Sequence, residues 1–358
     1  MQNQVLSSWT QPPIVADLSR NLIIGLMLLL TIGLSASNSR SQEGFKVDEQ
    51  SKHYTQLPDD LDSDNFQFAV VGDHTGGHRS GVFKATVEFL NLLQPDFVMS
   101  VGDLIEGYVD DRSALESQWN EIDELLSPLT MPFFLVPGNH DVNFDPSEEV
   151  WFERVGAGRS YSHFLYKNVL FLLVSTEDPP KRNPDADLLE KYQRLKTGEI
   201  DSEEEAKRTI TELEEWAGKV NISDAQVAYF ASVLADNSDA RWTFVFMHSP
   251  PWEMEQPGNF LKIESLLSDR PFTMFAGHTH TYHHTQRNGR DYITMGMTGA
   301  GVPGKDLGHM DHLAWISMTD EGPKVSNLLL NGILDIRGAV PAVQDFLIYR
   351  PRSSSKSQ

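Results

Sequence analysis

Five places in the chain set potential metal ligands beside glycine or at the end of an apolar run. They are Gly72-Asp73, Gly102-Asp103-Leu104-Ile105-Glu106, Pro137-Gly138-Asn139-His140-Asp141, His248 and Gly277-His278-Thr279-His280. Carboxylate, imidazole and amide oxygen are the donors that suit Mn, Fe, Zn or Mg-type ions. The chain has no cysteine, which excludes disulfides, thiolate zinc sites, iron–sulfur clusters and a cysteine nucleophile. Any bound metal must therefore sit on His, Asp, Glu or Asn. Taken singly, each piece has an ordinary explanation: Gly-Asp after a strand is usually a turn, and a lone His248 is usually a core residue. His278 and His280 would point to one side if the chain there stays extended. The information lies in five such pieces occurring in order in one chain.

The elements that must position them are legible as short apolar runs. Phe68–Val71, Phe97–Val101, Phe133–Val136, Val169–Val174, Trp242–Met247 and Phe272–Ala276 are rich in β-branched and aromatic residues. Continuous rather than alternating apolar runs suit strands buried on both faces. Five of the six end at one of the candidate ligand pieces, and in open α/β sheets ligands bind at the C-terminal ends of the strands. Between the runs, Val82–Leu93 and Leu115–Leu126 carry apolar residues at helical spacing. Ser223-Asp224-Ala225-Gln226 has a capping-box pattern that predicts a helix to about Ala235. Strand–helix alternation predicts an α/β architecture on largely parallel strands. Residues 178–220 interrupt the rhythm with a charged, helix-prone stretch that reads as a helical insertion without a strand. His312–Met318 and Lys324–Leu330, around Thr319-Asp320-Glu321-Gly322, predict a hairpin in a second sheet.

The order GD, GDxxE, GNHD, H, GHTH resembles the calcineurin-like metallophosphoesterase superfamily. The resemblance implies an α/β fold of the four-layer α+β type, a central β-sandwich of mixed sheets flanked by helices, over about 65–349. It implies a metal-dependent phosphoric ester hydrolase acting on a phosphomonoester or phosphodiester small molecule through attack of metal-bound hydroxide. By position, Asp73, Asp103 and His280 would hold one divalent ion, and Asp103, Asn139, His248 and His278 the other, with Asp103 bridging. Such a pair stabilises both attacking and leaving oxygens of an in-line displacement. His140 would assist the leaving group. Glu106, three residues after Asp103, is expected to orient the His140 imidazole.

Two departures matter. The family usually has Asp-x-His at the first motif, where this chain has Asp73-His74-Thr75. Thr75 is a poor donor, so the first metal site is expected to be the weaker unless His74 or His78 reaches it. Gly107 stands where the protein-phosphatase branch has Arg, so the resemblance is to the broad phosphoesterase group. The Gly-rich segment 72–81 and Arg79 are candidates for phosphate contact. Trp252 is a candidate for stacking on substrate. A cyclic-nucleotide phosphodiesterase shares all these motifs, and a catalytically weak metal- or phosphoester-binding surface module is the alternative from another class.

The 358 residues carry 29 Lys+Arg against 51 Asp+Glu, a net charge of −22. That balance argues against nucleic acid as a stable partner, because phosphate neutralisation needs a basic surface. Arg20, the apolar stretch Leu22–Leu34 and Ser35-Ala36-Ser37 together read as an export signal or an uncleaved anchor over 1–37. The body is thus expected outside the cytoplasm: periplasmic, extracellular or held to a membrane facing outward. Residues 38–64 read as a polar linker and 350–358 as a disordered tail.

Overall fold

The computed structural model describes residues 64–142, 145–155, 158–180, 186–217, 220–302 and 308–332. The expected export segment, nearly all of the linker and the tail lie outside the described residues. No helix among the described residues is long and apolar enough to cross a membrane.

The chain runs β1 (Phe66–Val71), α1 (Val82–Leu93), β2 (Phe97–Ser100), α2 (Arg112–Leu126), β3 (Phe133–Leu135), α3 (Asp145–Val155), β4 (Ser162–Tyr166) and β5 (Val169–Leu173). It continues through β6 (Glu177–Asp178), α4 (Ala186–Thr197), α5 (Glu203–Ala217), β7 (Asn221–Ile222), α6 (Asp224–Asp236), β8 (Trp242–Phe246), α7 (Phe260–Leu266) and β9 (Phe272–Ala276). It ends with β10 (His283–Arg287), β11 (Arg290–Thr294), β12 (His312–Thr319) and β13 (Gly322–Leu329). One five-stranded sheet has the order β13-β12-β1-β2-β3, and a six-stranded sheet has the order β10-β11-β9-β8-β5-β4. Both are mixed. In the first sheet β1, β2 and the edge strand β3 pair in parallel, with β12 and β13 antiparallel at the other side; in the second, β5, β8, β9 and β11 pair in parallel between antiparallel edge strands β4 and β10.

The apolar runs form strands because both faces are covered. β5 and β9 are buried at every position. One face of each sheet meets the other sheet: Phe68 and Phe97 pack with Phe171, Phe244, Phe246 and Phe275. Phe68 stacks on Phe97 at 5.1 Å and meets Phe244 edge-on at 5.0 Å. Such pairs add about 0.5–1.5 kcal/mol each beyond the apolar area they bury. The outer faces are covered by helices. Val82, Ala85, Phe89 and Leu90 of α1 pack on the first sheet, and Phe230, Val233 and Leu234 of α6, with Phe260 and Ile263 of α7, pack on the second. The result is the expected helix-flanked pair of mixed sheets.

Ser223 caps α6 as the sequence pattern predicts, its hydroxyl accepting from the Gln226 amide at 3.0 Å. The Gln226 side chain does something else. It accepts from Ser175 N at 2.9 Å and donates to Ser175 O at 3.0 Å, tying α6 to the turn after β5. Within the 178–220 stretch, α4 and α5 form a helical pair joined by Lys191–Glu212 and Arg194–Glu205 ion pairs at 3.2 and 3.0 Å. β6 and β7, which flank the stretch and touch it only at Asp178, pair in parallel across its base.

Candidate metal centre

Asp73 lies just past the end of β1, Asp103 past β2, Asn139 past β3, His248 past β8, and His278 and His280 past β9. Two sheets therefore deliver their C-terminal ends to one place. Two groups of side chains there could hold an ion, Asp73–Asp103–His280 and Asp103–His248–His278, each with its ligand atoms within 4.8 Å of one another. Asp103 belongs to both. Asn139 joins the second group, its Oδ1 lying 2.9 Å from His248 Nε2 and 2.8 Å from His278 Nδ1.

The imidazoles are aimed by backbone carbonyls. His248 Nδ1 donates to Val101 O and His280 Nδ1 to Gly301 O, both at 2.8 Å. Each Nε2 is thereby turned inward, to 3.2 Å from Asp103 Oδ2 and 3.3 Å from Asp73 Oδ2 respectively. A ring whose outer nitrogen is held by a carbonyl, with the inner one facing carboxylates, is the usual support for a metal-ligating histidine. Asp73 Oδ1 is buried with no hydrogen-bond partner. A divalent cation would satisfy it, and the all-oxygen-and-imidazole donor set fits such an ion. Burial lowers the His248 imidazole, but the charge of Asp103 beside it prevails and raises it to about 10. Burial raises Asp103, and the charges of His248 and His140 outweigh it, leaving that carboxyl well below the usual range.

His278 and His280 do not share the site by strand alternation. The strand ends at Ala276, and both residues adopt left-handed backbone, with φ of 71° and 54°. Asp103 and Tyr108 are also left-handed, at 56° and 51°. Non-glycine residues rarely tolerate this region, at a cost of about 1–3 kcal/mol each, and such strain gathers at functional sites.

The β2 and β3 loops are locked together by Asp141, quoted in the sequence motif but given no task there. Its buried carboxylate accepts from Asp103 N at 2.8 Å, Leu104 N at 2.9 Å, Ile105 N at 3.2 Å and Gly138 N at 2.9 Å. His140 N donates to Asp103 Oδ1 at 2.9 Å, closing the loop onto the shared carboxylate.

Several expected roles are corrected. The Glu106 carboxylate does not orient His140; the Glu106 carbonyl does, accepting from His140 Nδ1 at 2.7 Å. The carboxylate instead takes the amides of Gly77 and His78 at 2.9 and 3.0 Å. Burial raises its pKa, but the neighbouring Thr75 hydroxyl, the hydrogen bonds from His78 and the charge of His140 bring it down to about 2. The Thr75 hydroxyl itself is buried with no hydrogen-bond partner. Neither alternative fills its place: His74 stacks on Phe83 at 4.5 Å and His78 Nδ1 faces Glu106 at 3.2 Å. Burial and the neighbouring His78 push the His74 imidazole down to about 4. The guanidinium of Arg79 is held by the buried Asp311 and by Ala300 O, so it is not the expected phosphate contact. Loop amides expected to meet phosphate are taken by protein too, His74 N and Thr75 N donating to Asp103 O. Trp252 is partly buried and packs on Tyr292 and Phe260 at 5.2 and 6.1 Å. Of the other histidines, His309 donates to His280 O at 3.0 Å and supports the site from behind.

Two groups of side chains that could hold a metal ion thus share one carboxylate at the strand ends of a helix-flanked sandwich. The chain matches the family model described as calcineurin-like phosphoesterase over residues 66–282, and it belongs to that family. Among solved structures it resembles a dimetal phosphatase from Danio rerio, with 14% identity over 73% of this chain and 98% of that one, at a TM-score of 0.50. It also resembles a purple acid phosphatase from yellow lupin (Lupinus luteus), with 14% identity over 74% of this chain and 53% of that one, at a TM-score of 0.48. At such identities the likeness concerns the fold alone. No curated protein matches the chain.

Gly138 and Gly277 hold open the space in which the two carboxylates lie. A Cβ on Gly138 would collide with Asp103 Oδ1 and come within 2.6 Å of Asp103 N, and one on Gly277 would collide with Asp73 Oδ1. Gly138→Ala should therefore weaken divalent-cation binding by about tenfold or more. Calorimetric titration with Mn would measure it; unchanged affinity in a folded variant would contradict this account.

Proposed function

We propose that the chain is an exported, metal-dependent phosphoesterase hydrolysing a small phosphomonoester or phosphodiester. The observation that carries the reading is one buried carboxylate, Asp103, shared between two groups of ligand-type side chains. Bound divalent cations would supply Lewis-acid activation of water and neutralise charge on the phosphoryl oxygens. Asp73 and His280 would hold one cation, Asn139, His248 and His278 the other, and Asp103 both. His140 is the candidate proton donor to the leaving oxygen. Its Nδ1 is tied to the Glu106 carbonyl, and its Nε2 lies on the Gly76 side of the site, where His280 Nε2 also faces. A cyclic-nucleotide diester would use the same groups.

Hydrolysis of aryl phosphate mono- and diesters with added Mn tests the reading. Asp103→Asn should lower kcat by at least about a hundredfold, and His140→Ala by about 10²–10⁴ with metal content unchanged. Full activity in Asp103→Asn would remove the assignment.

The Asp73–Asp103–His280 group lacks a side-chain donor from Thr75 and is the weaker of the two. Titration of chelator-treated protein with Mn should resolve one tight and one weaker equivalent. Two equally tight equivalents would overturn this.

Export is supported by Arg20, the apolar Leu22–Leu34 stretch and the small residues after it. Residues 1–37 fused to a reporter enzyme active only outside the cytoplasm should yield active reporter. An inactive reporter at normal expression would refute export.

A further inference from the structure

The amide of Asn139 has two ends of similar shape and opposite chemistry. Oδ1 offers lone pairs, whereas Nδ2 offers only donor hydrogens. A half-turn of the amide would set Nδ2 against His248 and His278 and leave the second group without its oxygen donor. Something must choose between the two orientations.

The choice is made at the far end of the side chain. Asn139 Nδ2 donates to the Tyr108 hydroxyl at 2.8 Å. A hydroxyl can accept or donate, so its own orientation matters. Because Nδ2 can only donate, the hydroxyl acts as acceptor in this contact, with its own hydrogen turned away from Asn139.

Tyr108 is held firmly enough to make the choice. It is 8% exposed, and its ring meets the His140 ring edge-on at 4.7 Å and 89°. Gly107 N donates to Gln118 Oε1 at 2.9 Å, which anchors the loop to α2. The left-handed backbone of Tyr108 is the strain this placement costs. Tyr192 of α4 lies 5.7 Å from the Tyr108 ring, so the helical pair 186–217 backs the same residue.

We propose that Tyr108 is a positioning residue that fixes the Asn139 amide with Oδ1 toward Asp103, His248 and His278, and that Tyr192 links the helical pair to this function. The inference rests on the proposed reading of those four residues as a metal-binding set. It adds a residue outside that set, five positions beyond Asp103, which does not touch the ion.

A double-substitution cycle read by Mn calorimetry tests it. Tyr108→Phe keeps the ring and its contact with His140 but removes the acceptor, and should weaken the tight equivalent about tenfold. Asn139→Asp places an oxygen at both ends, so orientation ceases to matter. Adding Tyr108→Phe to Asn139→Asp should then change affinity by less than about twofold. An equal loss in both backgrounds would mean that Tyr108 acts through general packing, and would overturn the proposal. Unchanged affinity in Tyr108→Phe, with tight binding in the wild type, would overturn this proposal alone. A wild-type protein that binds no Mn would overturn the metal-centre reading together with it.

Discussion

The site depends first on one buried carboxylate that is not among the candidate metal ligands. Asp141 receives four backbone N–H groups, three from the turn after β2 and one from the turn after β3. Those turns carry Asp103 and Asn139. Without Asp141 the four donors would be buried and unmatched, at about 1–3 kcal/mol each. With it, the Asp103 backbone is pinned in a left-handed conformation it would not otherwise keep. The ligand geometry is thus set from beneath by main-chain hydrogen bonds, and the ligand side chains need little freedom of their own.

The same economy recurs around the centre. Carbonyls of Val101 and Gly301 aim two imidazoles, the Glu106 carbonyl aims His140, and the Glu106 carboxylate gathers the loop after β1. Backbone atoms are positioned by sheet and turn geometry and cannot change rotamer, which makes them good orienting groups. The cost is strain at Asp103, Tyr108, His278 and His280. It is met by the aromatic core between the sheets.

No part of the centre is local. The Asp73–Asp103–His280 group draws on both sheets, and so does the Asp103–His248–His278 group. Neither can form before the sheets pack face to face. The acidic surplus of the chain lies largely elsewhere: α5 opens with Glu203, Glu204 and Glu205, and its neighbour α4 shares its ion pairs. That charge serves solubility and says nothing of substrate.

The sequence by itself determined the strands, because a run such as Val169–Leu173 buried on both faces has no polar alternative to hide. It determined α1, α2 and the Ser223 cap for the same local reasons. The edge hairpins were harder to read. β10 is His-His-Thr-Gln-Arg and β4 alternates in burial, so neither has a continuous apolar signature. Their turns did carry a signal, Asn288-Gly289 and Lys167-Asn168, all four residues left-handed. The ligand types and their order were legible because each follows a strand. Only the tertiary structure decided which partner each side chain meets. Arg79 faces Asp311 across 232 positions, Trp252 packs against the edge of the core on Tyr292, and Glu106 lends His140 its carbonyl instead of its carboxylate. Those outcomes depend on loops whose conformations are fixed by contacts distant in sequence, and no local pattern encodes them.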